Sequence, residues 1–259
     1  MSRDFELLQR LEQGWNRSLN LRGPIDGKTP IAEEKPPSEI AQTRVATATL
    51  PAAHLTPAVR NELNKLILRT FLSTPAVKVI MFTGVEAQED AKWVTSCTAD
   101  VLAHTTHDRV CLLDADLAFP TVHRAYSVSN QNGLAAVLRG SCSIGSATIR
   151  AAENLWVVPA GTSPQDEQMT AVTFQEVVVD LLEHFEYLVV SAPDCDRLAE
   201  LGVVGAAADG AVLVLDAMTT HRKAAQDAKA ALEIAKIRIM GSVFTNQSSP
   251  VPDFLHAHM

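Results

Sequence analysis

From residue 77 onward, apolar segments of strand length alternate with segments of helical length, and this alternation constrains the fold more than any other feature. Its β-branched and apolar runs are typical of strands buried on both faces. Strands that alternate with helices favour a doubly wound, mostly parallel α/β sheet. The predicted strands are Val77–Thr83, Val110–Asp114, Leu155–Pro159, Tyr187–Ser191, Ala211–Leu215 and Ile239–Thr245. The predicted helices span 92–104, 133–138, 172–185, 197–207 and 219–235.

Composition narrows the class of protein. The chain has 259 residues, of which 47% are hydrophobic and 20% charged, as in folded soluble domains. Its net charge of -8 argues against a general nucleic-acid binder. No apolar run is long enough to span a bilayer, and the charged N-terminus is not a secretory signal. The four cysteines lack metal-ligand spacing and are expected to be reduced, which predicts a cytoplasmic protein.

Most of the region before residue 77 is predicted to be an N-terminal extension of the α/β domain. Residues 4–17 are predicted to form an amphipathic helix within an N-terminal segment 1–20. The proline-containing residues 21–54 are predicted to be a linker. A further helix at 56–72 begins with Thr56 as N-cap ahead of Pro57. The predicted domain is 55–248, and 249–259 is a short tail.

The turn after the first predicted strand has the position of a phosphate-binding loop but not its residues. Such a loop reads Gly-x-x-x-x-Gly-Lys-Ser/Thr: glycines let backbone amides surround phosphates, lysine neutralises them and the hydroxyl holds magnesium. Here the only glycine is the first residue, and a tryptophan follows the lysine. The turn contains Gly84, Glu86, Gln88, Glu89, Asp90, Ala91, Lys92 and Trp93.

Carboxylates inside this turn oppose phosphate binding. At about 5 Å and an effective dielectric of about 20, one carboxylate repels one phosphate charge by roughly 3 kcal/mol. Glu86, Glu89 and Asp90 would together offset most of what one lysine and a helix dipole contribute. The sequence therefore predicts a nucleotide-binding scaffold whose phosphate loop is degenerate.

An ordered series of segments resembles the bacterial tyrosine kinases of capsule and exopolysaccharide synthesis, which belong with the ParA and MinD type of P-loop ATPases. The segments are Val110–Val128, Asn132–Gly140, Asn154–Gly161, Phe185–Pro193, Ala208–Val214 and Ile239–Asn246. Each is weak alone, but all follow the family's order. The resemblance implies a P-loop NTPase-like fold, and ATP with magnesium as cofactors where the nucleotide site functions.

The chain differs from the family at the positions that bind nucleotide and magnesium or accept phosphate. Gapless alignment puts Gln88 and Asp90 at two glycine positions, Ala91 at the lysine and Lys92 at the magnesium-binding hydroxyl; a one-residue slip restores Lys92 as the lysine. The second acidic motif, Asp-Thr-Pro-Pro in the family, has Ser191 in place of its aspartate. The family's C-terminal tyrosine cluster is missing from the sequence.

Several candidate site residues remain, each with a structural alternative. The resemblance implies that Asp114 and Asp116 hold magnesium and polarise the attacking hydroxyl; the favoured alternative is a turn-forming, helix-capping pair. Lys92 is a candidate phosphate contact, against a lysine extending along the surface at a helix start. Asn246 resembles the family's base-recognising asparagine, against a turn residue at a strand end.

The resulting expectation is a pseudoenzyme: a catalytically impaired kinase-like protein that uses no cofactor and acts in polysaccharide polymerisation and export. Its expected partner is the cytoplasmic part of a membrane chain-length protein, or an active kinase paralogue, which would hold it at the inner face of the membrane. The helix 56–72 partly matches the family's oligomerisation helix through Glu62 and Lys65, so a homo-oligomer is a further expectation. The alternative is an active ATP-dependent protein-tyrosine kinase with an atypical phosphate loop.

Overall fold

A computed structural model describes residues 50–73, 77–162 and 169–247 of the chain. The predicted N-terminal helix, most of the predicted linker and the tail 249–259 lie outside these residues. The last residues of the predicted linker differ from expectation, because Pro51–His54 form a turn of 3₁₀ helix. Ala52 in this turn is buried, and its N–H donates to the Asp100 carboxylate at 2.9 Å, which fixes the segment to the domain.

Within the described residues, seven strands form one sheet in the order β3-β4-β2-β5-β1-β6-β7. All neighbouring strands are parallel except β3 and β4, which are antiparallel. This confirms the predicted doubly wound, mostly parallel architecture. The strands are β1 (Val79–Val85), β2 (Val110–Asp114), β3 (Ile149–Arg150), β4 (Leu155–Val158), β5 (Tyr187–Ser191), β6 (Gly210–Asp216) and β7 (Ile239–Thr245).

The helices pack on the two faces of the sheet and divide its core in two. The longest helix, α2, lies on one face with α1, over residues such as Ile80, Phe82 and Leu112. On the other face, α6 to α8 cover Met81, Leu113 and their neighbours. The helices are α1 (Pro57–Arg69), α2 (Gln88–Thr106), α3 (Val122–Ala125), α4 (Leu134–Leu138), α5 (Ile144–Ala147), α6 (Ala171–Leu182), α7 (Leu198–Gly205) and α8 (Arg222–Ile234).

Two elements near the predicted phosphate loop differ from the sequence prediction. Strand β1 ends at Val85 rather than Thr83, because Gly84 and Val85 continue the ladder with β6. Helix α2 begins at Gln88 rather than at residue 92. As a result, most of the predicted loop is strand or helix, and a short turn connects them.

Candidate functional site

The connection between β1 and α2 consists of Glu86 and Ala87 alone. Glu86 has a φ of 53°, a left-handed conformation that is uncommon for residues other than glycine. Its carboxylate accepts from the His221 backbone N–H at 3.1 Å, and the hydrogen bonds from His221 lower the Glu86 pKa. A turn of two residues leaves little backbone to surround a chain of phosphates.

The first turn of α2 carries the other carboxylates of the predicted loop. Glu89 and Asp90 lie at the positive end of the helix dipole, where a negative side chain is stabilising. The Asp90 carboxylate accepts from the Thr245 hydroxyl and from the Asn246 amide, the latter at 3.1 Å. The place where an anion would meet the helix terminus is therefore taken by carboxylates of the protein itself.

Asn246, the candidate base-recognising residue, directs its side-chain amide toward the protein. Its Nδ2 lies 3.1 Å from Asp90 Oδ2 and 3.1 Å from Asp216 Oδ2. Its φ of 53° is left-handed, a conformation that asparagine tolerates better than most residues. These features are those of a residue that closes the end of β7 against the start of α2.

Lys92, the candidate phosphate contact, is 5% exposed rather than extended along the surface, which contradicts the surface alternative. Its Nζ lies 3.0 Å from Asp116 Oδ2 and donates to the Phe119 carbonyl oxygen. The Asp116 side chain is fully buried. A buried ammonium with these two partners is not available to a ligand unless the ion pair opens.

Arg197 is a second cation on the same carboxylate, and the sequence analysis did not predict it. One guanidinium nitrogen lies 2.7 Å from Asp116 Oδ1, and the other lies 3.0 Å from Glu200. Phe119 covers this cluster, because its N–H donates to Asp116 at 3.0 Å and its ring lies 5.3 Å from the guanidinium carbon. We call Lys92, Asp116 and Arg197 the buried ion triad.

Asp114 has the hydrogen bonds of a turn-forming carboxylate. Its Oδ2 accepts from the N–H groups of Thr121 and Val122, both at 3.0 Å, at the start of α3. Its Oδ1 accepts from the Asp116 N–H at 3.3 Å. Burial raises the pKa of Asp114 to about 6, although the two hydrogen bonds from α3 oppose this shift.

The segment after β5 closes the site from the other side. Ser191 ends β5, and its carbonyl accepts from the Ala115 N–H at 2.9 Å. Further on, the Cys195 N–H donates to the Gly84 carbonyl at 3.1 Å. A Cβ added to Gly84 would lie 2.8 Å from an Asp194 oxygen, so this carboxylate sits directly against the turn.

The Asp194 carboxylate has a pKa raised to about 6 by burial, then by the Asp196 charge, against the opposing effects of Lys92 and Arg197. It is the downstream acidic residue nearest to the aspartate that the family motif has and this chain lacks at Ser191. Its position against Gly84 adds a further negative charge at the entrance of the turn.

The side chains that would meet ATP and magnesium in this fold are paired with groups of the protein itself. Across 50–73, 77–162 and 169–247, no group of three or more His, Cys, Asp or Glu side chains could hold a metal ion. The Asp114 oxygens accept from backbone N–H groups, and the Asp116 oxygens lie 3.0 Å from Lys92 and 2.7 Å from Arg197. Trp93 is 46% exposed on α2 and Ala91 is buried, and neither side chain carries the charge or hydroxyl that the family has at these positions.

The fold defines the class: a P-loop NTPase-like α/β domain of the MinD type, with its candidate site at the carboxyl ends of parallel strands. Two solved structures share this fold. The chimerical protein CapA2B2 gives a TM-score of 0.71 at 16% identity over 80% of this chain and 96% of its own. The kinase domain of Escherichia coli tyrosine kinase ETK gives 0.67 at 19% identity, over 82% and 87%.

Sequence comparison finds relatives among bacterial tyrosine-protein kinases, although no family model matches the chain. Tyrosine-protein kinase YwqD of Bacillus subtilis is 28% identical over 174 residues, covering 66% of this chain and 73% of that protein. Putative tyrosine-protein kinase CapB of Staphylococcus aureus is 24% identical over 170 residues, covering 64% and 74%. The chain is therefore a homologue of the bacterial tyrosine-protein kinases, as the ordered sequence segments indicated.

Proposed function

We propose that this protein is a catalytically impaired relative of the bacterial tyrosine kinases, acting as a regulatory or assembly partner in exopolysaccharide or capsule polymerisation and export. The observation that carries the proposal is the buried ion triad: Lys92 lies 3.0 Å from Asp116 and Arg197 lies 2.7 Å from it. The cation nearest to the phosphate position is thus neutralised within the protein.

The free energy of binding supports the same proposal. For Lys92 to meet a phosphate, its ion pair with the buried Asp116 would have to open, and Arg197 would be the one cation of the triad left on that carboxylate. Breaking a buried ion pair in this way costs up to about 5 kcal/mol. The Asp194 carboxylate would still lie against the turn, because one of its oxygens is 2.8 Å from the position of a Cβ on Gly84. Binding energy from the nucleotide would have to offset both costs before any phosphate transfer.

As a non-catalytic protein, the chain would act by contact. We propose that its partner is the cytoplasmic part of a membrane chain-length protein or an active kinase paralogue, which would place it at the cytoplasmic face of the membrane. Among the described residues, no helix has the length and hydrophobicity to cross a bilayer. Membrane location would then depend on the partner.

Calorimetric titration of the full chain with ATP and magnesium tests the proposal. We expect no binding heat from the natural sequence. A variant that combines Gln88→Gly, Asp90→Gly, Ala91→Lys and Lys92→Ser restores the family pattern and serves as the matched control, provided that its unfolding curve shows a folded domain. Tight, magnesium-dependent ATP binding by the natural chain would contradict the proposal.

The alternative, an active protein-tyrosine kinase, is favoured by the names of the relatives and by the presence of Asp114 and Asp116. A phosphotransfer assay with ATP and magnesium separates the two functions. Phosphate transfer that disappears in the Asp114→Ala variant would establish the kinase. We expect no transfer from either protein.

A further inference from the structure

The two edges of the sheet are protected very differently. Strand β3 forms one edge with two residues, one of which is the charged Arg150. Strand β7 forms the other edge with seven residues, Ile239–Thr245, and contains neither a charge nor a proline. Proteins usually protect an edge strand by shortening it, charging it or covering it, since its unpaired backbone groups can pair with another strand.

Among residues 50–73, 77–162 and 169–247, no strand pairs with the outer side of β7. The Thr245 carbonyl accepts from the Ala217 N–H at 3.0 Å, so the backbone of Thr245 is directed toward β6. Successive residues direct their backbone groups to opposite sides of a strand, so Ser242 and Phe244 point away from β6. A bulge opposite Ala211 and Val212 interrupts the start of the strand and leaves its second half regular.

An apolar groove accompanies this edge. It has a volume of about 700 Å³ between β7 and α8. The Phe244 side chain, 57% exposed, lies at its rim. The apolar part of its lining consists of Leu213, Leu215, Ala225, Ile237, Ile239 and Phe244, and the charged residues Lys229, Glu233 and Arg238 also line it. A strand added along β7 would place alternate side chains into this groove, because paired residues of adjacent strands share a face.

The charges at the two ends of β7 indicate which partner and which strand direction would suit it. Arg238, an exposed cation, immediately precedes the strand. At the other end, Asn246 holds the carboxylates of Asp90 and Asp216, each at 3.1 Å. Two copies of β7 in antiparallel order would bring Arg238 of each copy toward the carboxylates of the other. A parallel arrangement would place like charges together.

We propose that β7 is a self-association surface, and that a second copy of this chain pairs with it in antiparallel order about a two-fold axis near Ser242. Phe244 of each copy then enters the groove of the other copy. The interface is isologous, as expected for a two-fold dimer, and joins the two sheets into one. The proposal does not depend on whether the protein binds nucleotide.

Analytical ultracentrifugation of the full chain over a range of concentrations tests this surface. We expect a dimer for the natural sequence. Phe244→Asp places a carboxylate in the apolar interface, and Ser242→Pro removes an outward N–H that β6 does not use. Both should weaken association by about tenfold or more. The matched control is Val172→Asp, because Val172 is 63% exposed on α6, away from both β7 and the buried ion triad, and its dimer should persist.

Hydrogen exchange of the Ser242 and Phe244 amides distinguishes the second copy from other occupants. We expect their exchange to slow as protein concentration rises, in step with dimer formation. A natural chain that stays monomeric at its highest soluble concentration would overturn the proposal, and slow exchange in that monomer would show that another part of the chain covers β7. A dimer that survives in both β7 variants, with unchanged unfolding curves, would also overturn it.

Discussion

The carboxyl end of β1 and the outer edge of β7 differ in what occupies them. At the end of β1, where this fold places its ligands, the protein's own charges fill the space, from the buried ion triad to Asp194. At β7, no charge lies within the strand and a groove stays open. Together the two proposals describe a P-loop NTPase-like scaffold whose ligand site is occupied by its own side chains and whose contact surface lies elsewhere.

Removing the central carboxylate of the buried ion triad should have the largest effect. Asp116→Ala leaves Lys92 buried without its ion pair and deprives Arg197 of one partner. We expect a loss of about 3 kcal/mol in the free energy of unfolding, measured by urea denaturation.

The control for this variant is a substitution in a solvent-exposed ion pair. Glu62 and Lys65 lie 2.7 Å apart on α1, with side chains 71% and 59% exposed. Glu62→Ala should change stability by less than about 0.5 kcal/mol. Equal losses in the two variants would mean that the triad contributes no more than a surface pair.

The pH dependence of stability should show the burial of Asp114. Burial raises its folded-state pKa from 3.8 to about 6. The folded protein therefore holds this proton over a pH range in which the unfolded chain has lost it, so stability falls as pH rises from 3.8 to about 6.

A shift of this size corresponds to about 3 kcal/mol at most. Asp114→Asn should remove this contribution, which can be measured by denaturation of both proteins across the same pH range. The stability difference between them should change with pH up to about 6 and then become constant. Parallel profiles would show that Asp114 does not titrate in this range.

A pair of glycine substitutions compares the closed and open regions directly. An added Cβ at Gly84 would lie 2.8 Å from Asp194 and 3.1 Å from the Ala87 backbone, whereas one at Gly241 in β7 meets nothing within 4 Å. We expect Gly84→Ala to cost about 1 to 2 kcal/mol of stability. Thermal unfolding should place Gly241→Ala near the natural protein, and a larger loss there would mean that another group occupies the space beside Gly241.

Much of the fold could be predicted from the sequence because buried parallel strands have a distinct composition. The bounds of β2, β5 and β7 match the prediction. The predicted end of β1 was two residues too early, because its last residues pair with β6, which lies far away in the chain. Strand β3 was missed because two residues carry no periodic signal.

The candidate site was less predictable, because its contacts join distant segments. The sequence shows a loop without its glycines, and it shows Asp114, Asp116 and Lys92. It does not show that α2 starts at Gln88, where Glu89 and Asp90 suit the helix dipole. Arg197 gave no signal at all, since it follows Asp116 by 81 positions and belongs to no motif.

The sequence by itself determined the parallel α/β scaffold and the acidic, glycine-poor turn, because hydrophobic patterning and residue charge are local properties of the chain. Only the tertiary structure decided which charged side chains contact one another. Lys92 contacts Asp116 instead of solvent, and Arg197 contacts the same carboxylate. The three side chains come within a few ångströms of one another because α2 and α7 pack against the ends of β2 and β5. Coulombic attraction between buried groups depends on that separation and on the exclusion of water.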